Sequence, residues 1–218
     1  MATSVVNELV VWNDTTATQV ASATGTGMAK LASGVVSVVP GYGVPMVSAT
    51  YYDQSCSYNM ANWSAGAMTQ LRLYASLIFI PTDVTITEVG TYVTTGVASA
   101  LGRIGFYNVG SNGKPGTLFA QGSTTINMAT SATAATLTGQ SFAFKGGTWY
   151  YAAIVCDSAG VSTHNAVANQ NLHGYNAYSS TTKISDYFVT IGSLSLPSPF
   201  GTPTGDSVGA RRVSLLVP

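Results

Sequence analysis

Leu71-Arg72-Leu73-Tyr74-Ala75-Ser76-Leu77-Ile78-Phe79-Ile80 is the most regularly patterned segment of the chain, and Pro81-Thr82-Asp83 follows it directly. Large apolar side chains fall on alternate positions, so a β-strand would place them on one face. They are Leu71, Leu73, Leu77 and Phe79. Proline lacks the amide proton that a sheet ladder needs, and aspartate favours turns. The segment therefore predicts a strand that is closed by a turn.

A second segment, Thr148-Trp149-Tyr150-Tyr151-Ala152-Ala153-Ile154-Val155-Cys156, is mostly apolar on both of its alternating faces. A strand with one solvated face alternates apolar and polar residues, whereas a strand buried on both faces is apolar throughout. We therefore predict a central strand that is packed on both sides.

The segment Val84-Thr85-Ile86-Thr87-Glu88-Val89-Gly90-Thr91-Tyr92-Val93-Thr94 changes its apolar phase part-way. Val84 and Ile86 share one phase, and Val89 and Val93 share the other. A β-bulge near Glu88 would produce this switch. Glu88 is accordingly interpreted as a bulge or edge carboxylate and not as a catalytic one.

Turn residues separate many further short strands, and no amphipathic helix interrupts them. Gly110–Gly116 contains Asn-Gly and Pro-Gly, which suit tight reversals. Strands are predicted at 102–107, 117–120, 123–127, 135–137, 141–144, 186–191 and 211–217. This spacing is typical of an all-β fold, most simply a jelly-roll-like antiparallel β-sandwich.

The first 46 residues differ in composition from the rest. Thr15–Gly34 is rich in Thr, Ala, Ser and Gly and has no period that could hold a core. Short strands are predicted at Glu8–Asp14 and Gly34–Pro40. We expect residues 1–46 to form an N-terminal β-arm or stem for attachment or oligomerisation, with a flexible leader as the alternative. Residues 47–218 would form the displayed sandwich.

Charge is scarce: charged residues make up 7% of the 218 residues and sum to zero, against roughly 25% in ordinary domains. Nucleic acid is held by lysine and arginine contacts to phosphates, so it is not expected as a partner. A membrane-spanning helix needs about 20 consecutive apolar residues. The longest apolar run ends at Pro81, so we expect no membrane insertion. The composition favours an assembly component whose surface is covered by neighbours.

The chain has two cysteines, Cys56 and Cys156. A disulfide between them would stabilise the fold by restricting the unfolded chain. The alternative, which the apolar setting of Cys156 favours, is that both are reduced and buried. Which of the two holds stays open.

Few residues suit catalysis or metal binding. Glycoside cleavage needs two carboxyl groups at a set separation, yet Glu8 and Glu88 are the only glutamates. Turn positions are expected for most of Asp53, Asp83, Asp157, Asp186 and Asp206. His164 and His173 lie nine residues apart without cysteine or carboxylate at metal-ligand spacing, so polar loop residues are favoured over a metal site. We predict no enzyme activity, no cofactor and no metal.

The stretch 165–187 combines amides with tyrosines. Aromatic faces stack on sugar rings and amides bind hydroxyls, but tyrosine is equally typical of subunit interfaces. We therefore predict a subunit contact, with a glycan contact or an ordered surface loop as alternatives. The candidate residues are Asn169, Asn171, His173, Tyr175, Asn176, Tyr178 and Tyr187. Further on, Arg211-Arg212 is interpreted as a solvated or interfacial pair.

A family resemblance covers about residues 70 to 155. It is carried by Leu71–Tyr74, Phe79–Pro81, Ile86–Thr94, Arg103–Tyr107, Gly113–Leu118 and Gly146–Ala152. These segments resemble β-sandwich domains of bacteriophage fibre and other virion proteins. The resemblance implies a virion structural role, in which a small-residue leader attaches to the particle and the sandwich faces outward, often as a trimer.

Together these features predict a structural component of a phage virion, such as a head or tail fibre or a capsid decoration protein. Its expected partners are copies of itself, with a homotrimer favoured, and other virion proteins through residues 1–46. A host-surface glycan is a further candidate partner. The alternative is a carbohydrate-binding module of a secreted cellular protein, which would be monomeric and would bind glycan without the first 46 residues.

Overall fold

A computed structural model describes residues 28–32, 35–39, 51–52, 63–166, 174–175, 183–184, 186–206 and 211–217. Within these ranges the chain is all-β, with strands joined by turns and no helix. In chain order the strands are β1 (Met28–Ala32), β2 (Val35–Val39), β3 (Tyr51–Tyr52), β4 (Trp63–Ala67), β5 (Arg72–Ile80), β6 (Val84–Ile86), β7 (Glu88–Thr95), β8 (Leu101–Val109), β9 (Pro115–Gln121), β10 (Ile126–Asn127), β11 (Thr133–Leu137), β12 (Phe142–Phe144), β13 (Thr148–Cys156), β14 (Ser162–Ala166), β15 (Gly174–Tyr175), β16 (Lys183–Ile184), β17 (Asp186–Thr190), β18 (Thr204–Asp206) and β19 (Ser214–Leu216).

Two antiparallel sheets form a sandwich. Sheet I has the strand order β10-β8-β13-β5-β17-β18, and β9 also pairs with β8. Sheet II has the order β3-β19-β7-β14-β4, with β11 on the opposite edge of β7. Strands β4, β5, β7, β8, β11, β13 and β14 alternate between the two sheets across the core, while β9 and β10 stay in sheet I as partners of β8. The predicted jelly-roll-like antiparallel β-sandwich is confirmed.

The centre of sheet I is β13, which lies between β5 and β8. Ala153 pairs with Ala75 of β5 on one side and with Gly105 of β8 on the other. Alternate side chains of β13 belong to two different apolar clusters. Tyr150, Ala152, Ile154 and Cys156 pack between the sheets, and Tyr151, Ala153 and Val155 pack on the outer face of sheet I. The prediction of a strand packed on both sides is confirmed.

The central part of the outer face of sheet I is buried by residues 191–203, which we call the covering segment. The rings of Phe200 and Tyr107 meet edge-to-face with centroids 5.0 Å apart. The Tyr107 hydroxyl donates a hydrogen bond to the Pro197 carbonyl at 2.9 Å, and the Phe200 amide donates to the Gly116 carbonyl at 2.9 Å. Burial raises the pKa of Tyr107, so its hydroxyl keeps the proton that it donates.

The predicted bulge at Glu88 is wrong, because the phase switch marks a break between two strands. Ile86 of β6 pairs with Phe142 of β12, whereas Glu88 begins β7 in sheet II and pairs with Leu216. At the break, the Thr87 carbonyl accepts a hydrogen bond from the Gln140 amide at 2.9 Å. The apolar side changes because the chain passes from one sheet to another.

Part of the predicted N-terminal arm is described. β2 matches the strand predicted at Gly34–Pro40, and it pairs antiparallel with β1, with Met28 opposite Val39 and Ala32 opposite Val35. β1 falls in the stretch for which no strand was predicted. The strand predicted at Glu8–Asp14 lies outside the described residues. The boundary between residues 46 and 47 stays a prediction.

Cys156 is buried and free, which for this residue agrees with the alternative that the cysteines are reduced and buried. Burial raises the pKa of the Cys156 thiol, and this effect exceeds the opposing effect of the Ser158 amide, which donates to Sγ at 3.4 Å. A thiol with a raised pKa forms little of the reactive thiolate. Cys156 is therefore a core residue. Cys56 lies outside the described residues.

Truncating either face of β13 should destabilise the fold. Ile154→Ala should lower the free energy of unfolding by roughly 2–5 kcal/mol, and Val155→Ala by at least about 1.5 kcal/mol. Urea unfolding measures both values, with Thr85→Ala at an exposed position of β6 as the control. A Val155→Ala variant as stable as the parent would show that the covering segment forms no core.

Candidate functional site

The structure describes only part of the predicted contact surface at 165–187. Asn169, Asn171, His173, Asn176 and Tyr178 lie outside the described residues. Tyr175 lies on β15, whose backbone pairs antiparallel with β16, opposite Lys183. The stretch is therefore not one continuous loop, because it contains the end of β14 and the β15–β16 pair before β17 begins.

Tyr187 lies in a core and not on an open surface. Its side chain is 8% exposed and packs edge-to-face against Tyr151, with ring centroids 6.1 Å apart. The Lys114 ammonium lies 5.8 Å from the Tyr187 ring centroid, and burial raises the pKa of the Tyr187 hydroxyl. The tyrosine belongs to the apolar cluster under the covering segment. Within this chain it is a packing residue, which corrects its assignment to the predicted contact surface.

The expectation of a solvated or interfacial pair at Arg211-Arg212 is wrong for Arg211, which is 1% exposed. Its guanidinium carbon lies 4.2 Å from the Tyr74 ring centroid, and Nη2 donates to the Ala67 carbonyl at 3.1 Å. Consecutive residues of an extended chain point to opposite sides. Arg211 therefore enters the interior, while Arg212 lies on the outer face of sheet II.

Arg211 belongs to a buried polar cluster that links the two sheets. Asp186, also fully buried and the first residue of β17, accepts at Oδ2 from the Arg211 amide and from the Ser76 hydroxyl, each at 3.4 Å. Asp186 thus lies on a strand and not in a turn, whereas Asp83 and Asp157 lie between strands as predicted. Buried charges need such partners because they have lost their water. The cluster is closed to solvent and has a structural role.

The outer face of sheet II carries a row of four side chains, which we call the outer-face row: Tyr92, His164, Arg212 and Trp63. The Tyr92 and His164 rings are stacked, with centroids 4.5 Å apart and 22° between their planes. Arg212 Nη1 lies 3.4 Å from His164 Nδ1, and the guanidinium carbon lies 5.3 Å from the Trp63 ring centroid. The row places one cation, Arg212, between aromatic rings from three strands, and Arg212 itself lies two residues before β19.

Backbone pairing explains how the row is assembled. His164 on β14 lies opposite Ala65 of β4, and Trp63 lies two residues before Ala65 on the same face of β4. The Arg212 amide donates to the His164 carbonyl at 2.9 Å, and the Arg212 carbonyl accepts from the Thr91 hydroxyl at 2.7 Å. Arg212 is therefore bound through its backbone to both β14 and β7, which holds its side chain beside the stacked rings.

Beside the row lies a cavity of about 230 Å³, which we call the Tyr92 pocket. Its lining residues are Gly90, Thr91, Tyr92, Ala134, Thr136, Arg212 and Ser214. Ser214 and Thr136 lie opposite Gly90 on the two neighbouring strands. A Cβ atom on Gly90 would come within 2.9 Å of the Ala135 carbonyl oxygen and of Thr136 Cγ2. Only glycine therefore fits at this point of β7.

His164 is held in its neutral form. Burial lowers the pKa of His164, and the charge of Arg212 lowers it further. A neutral imidazole has one nitrogen that accepts a hydrogen bond, and the guanidinium can donate to it at Nδ1. The prediction that His164 is a polar loop residue is wrong, because it lies on β14 and supports the row.

Sequence reasoning did not find the outer-face row. Tyr92 has the phase opposite to the buried Val89 and Val93, so the strand pattern already placed a large aromatic ring on the outer side. His164 and Arg212 were noted, but neither falls in a strand with a clear alternating pattern. Nothing in the sequence indicates that these positions meet, because 48 residues separate them.

The described residues contain no cluster of three or more His, Cys, Asp or Glu side chains that could hold a metal ion. In the same ranges, no helix is long and apolar enough to cross a membrane. No protein-family model matches the chain, and no curated protein is significantly similar to it. The outer-face row and the Tyr92 pocket bring together stacked rings, a guanidinium and hydroxyl groups.

Removing the Arg212 charge should raise the pKa of His164 towards its ordinary value. NMR titration of the imidazole should give a midpoint below 6.5 in the parent and a higher midpoint in Arg212→Gln. His164→Asn identifies the resonance, and Arg72→Gln, on the other sheet, should leave the midpoint unchanged. The pKa of His164 is lower in the folded state than in the unfolded state. The stabilisation that depends on neutral His164 is therefore fully present above pH 6.5, and it is lost as the pH falls through the folded midpoint. Equal midpoints in parent and Arg212→Gln would contradict this coupling.

Proposed function

We propose that this chain is a structural component of a phage virion, a fibre or decoration protein that assembles through residues 1–46 and displays its β-sandwich. The observation that carries the proposal is the combination of 7% charged residues with a sandwich that fills both faces of its central sheet by itself. The resemblance of residues 70–155 to virion β-sandwich domains supports the same role.

The pairing of β1 and β2 supports an assembling arm. Among the described strands, β1 and β2 pair only with each other, over five residue pairs. An isolated two-stranded hairpin is at best marginally stable in water, so it needs further strands or a packing surface. Copies of the chain or a platform on the particle would supply that surface. In this proposal the protein assembles by burying surface against its neighbours and by pairing β1 and β2 with further strands.

A carbohydrate-binding module of a secreted protein is the second candidate, and the Tyr92 pocket favours it. An aromatic wall beside hydroxyl and guanidinium groups is a common lining for a small polar ligand. The pocket is equally compatible with a virion protein that contacts a host surface. The two candidates therefore differ in assembly, because only the virion protein requires residues 1–46 to form its oligomer.

Light scattering should distinguish these candidates. The intact chain should have three times the 22.5 kDa chain mass, and a chain that begins at Val47 should be a monomer. The physical reason is that the coreless N-terminal segment is stabilised only in the oligomer. Circular dichroism of the shortened chain should retain the β spectrum, which controls for unfolding. A monomeric intact chain at micromolar concentration would contradict the assembly role.

A further inference from the structure

We propose that the Tyr92 pocket binds one ring of an acidic saccharide, with the sugar ring against Tyr92 and the sugar carboxylate on Arg212. The inference concerns the described sandwich alone and does not rest on the assembly role of residues 1–46. The ligand site lies on β7, β11 and the segment 212–214, on the opposite side of His164 from Trp63.

Tyr92 supplies a rigid aromatic wall. One face of its ring is stacked on His164 at 4.5 Å, and His164 is in turn held by Arg212. Tyr92 also lines the cavity. A ring that is already fixed loses little conformational entropy when a ligand packs against it. A pyranose has apolar C–H faces that match such a wall.

The neighbours of Tyr92 leave space for the ligand. Gly90 lies two residues away on the same face of β7, and Ala134 lies directly opposite Tyr92 on β11. The volume of about 230 Å³ is below the roughly 300–1,000 Å³ of pockets that enclose drug-sized ligands. The pocket therefore suits one ring of a longer chain, whose other rings would extend over the exposed surface of sheet II.

Arg212 determines the charge of the ligand. It is the charged side chain among the described residues that line the cavity. A guanidinium carries five N–H donors in a planar fork, so it can serve the protein and a carboxylate at the same time. Its contacts with His164 and Trp63 hold that fork in place.

Hydroxyl groups complete the polar lining. Thr136 on β11 is exposed, and Ser214 on β19 is half-buried. They flank Gly90 from the two neighbouring strands. Hydroxyls both donate and accept hydrogen bonds, as sugar hydroxyls require. An aromatic wall, a cation and two hydroxyls thus converge on one cavity, whereas a purely apolar partner would cover these polar groups without adding a hydrogen bond.

Calorimetry on the full chain tests the proposal with three probes: methyl β-glucuronide, methyl β-glucoside and sodium acetate. The glucuronide should bind, and the glucoside should bind about tenfold more weakly, because it lacks a charge-assisted contact. Acetate should bind more weakly still, since it has no ring for Tyr92. Arg212→Gln should weaken glucuronide binding by about tenfold and should remove the preference over glucoside.

A matched control uses the other sheet. Arg72→Gln also removes an arginine that lies over an aromatic ring, at 4.2 Å from Phe188, but it should leave glucuronide binding unchanged. Thr136→Val removes a hydroxyl at an exposed position of the pocket and leaves Tyr92 in place, so it tests the contribution of that hydroxyl to glucuronide binding. Equal affinities for glucuronide and glucoside, equal affinities for glucuronide and acetate, or no binding of glucuronide would each overturn the proposal. A lower oligomer mass in Arg212→Gln would overturn it as well, because the face would then be covered by a second copy.

Discussion

The burial of both faces of β13 is the constraint on which the rest of the structure depends. A strand whose side chains are apolar on both sides cannot lie at a solvated surface. One face is covered by sheet II, and the other needs a second layer. The chain provides that layer with residues 191–203, whose Leu196 and Phe200 join the outer cluster. The Tyr107 hydroxyl holds this layer against sheet I through its hydrogen bond to the Pro197 carbonyl.

This arrangement decides which surface is available for binding. The covering segment occupies the outer face of sheet I around Tyr107, Tyr151 and Val155, although Trp149 at the start of β13 stays 39% exposed. The outer face of sheet II has no such layer over Tyr92, His164 and Arg212 in the described residues. There Arg212 meets His164 and Tyr92. Successive residues of an extended chain point to opposite sides, so the neighbouring Arg211 enters the interior. There its guanidinium packs on Tyr74 and its amide donates a hydrogen bond to Asp186. One dipeptide thus contributes both an internal link and a candidate ligand contact.

The sequence predicts the strands with strong periodicity and misses what depends on long-range contact. The pattern of Thr148–Cys156 indicated its two buried faces, and β13 spans the same residues. The phase switch near Glu88 was visible, but alternation alone cannot distinguish a bulge from a change of sheet. The partner β12 of β6 lies more than 50 residues away. The outer-face row was missed for a similar reason, since Tyr92 and Arg212 come together only when residues before β19 pair beside β7 and β14.

Hydrogen exchange on the intact chain tests the double burial of β13 most directly. Amides in the interior of a sheet buried on both faces open only with global unfolding. Residues 148–156 should therefore exchange last, together with 72–80 and 101–109, and well after residues 133–137 at the edge of sheet II. If residues 148–156 exchanged as fast as 133–137, β13 would not be the buried centre of the sandwich.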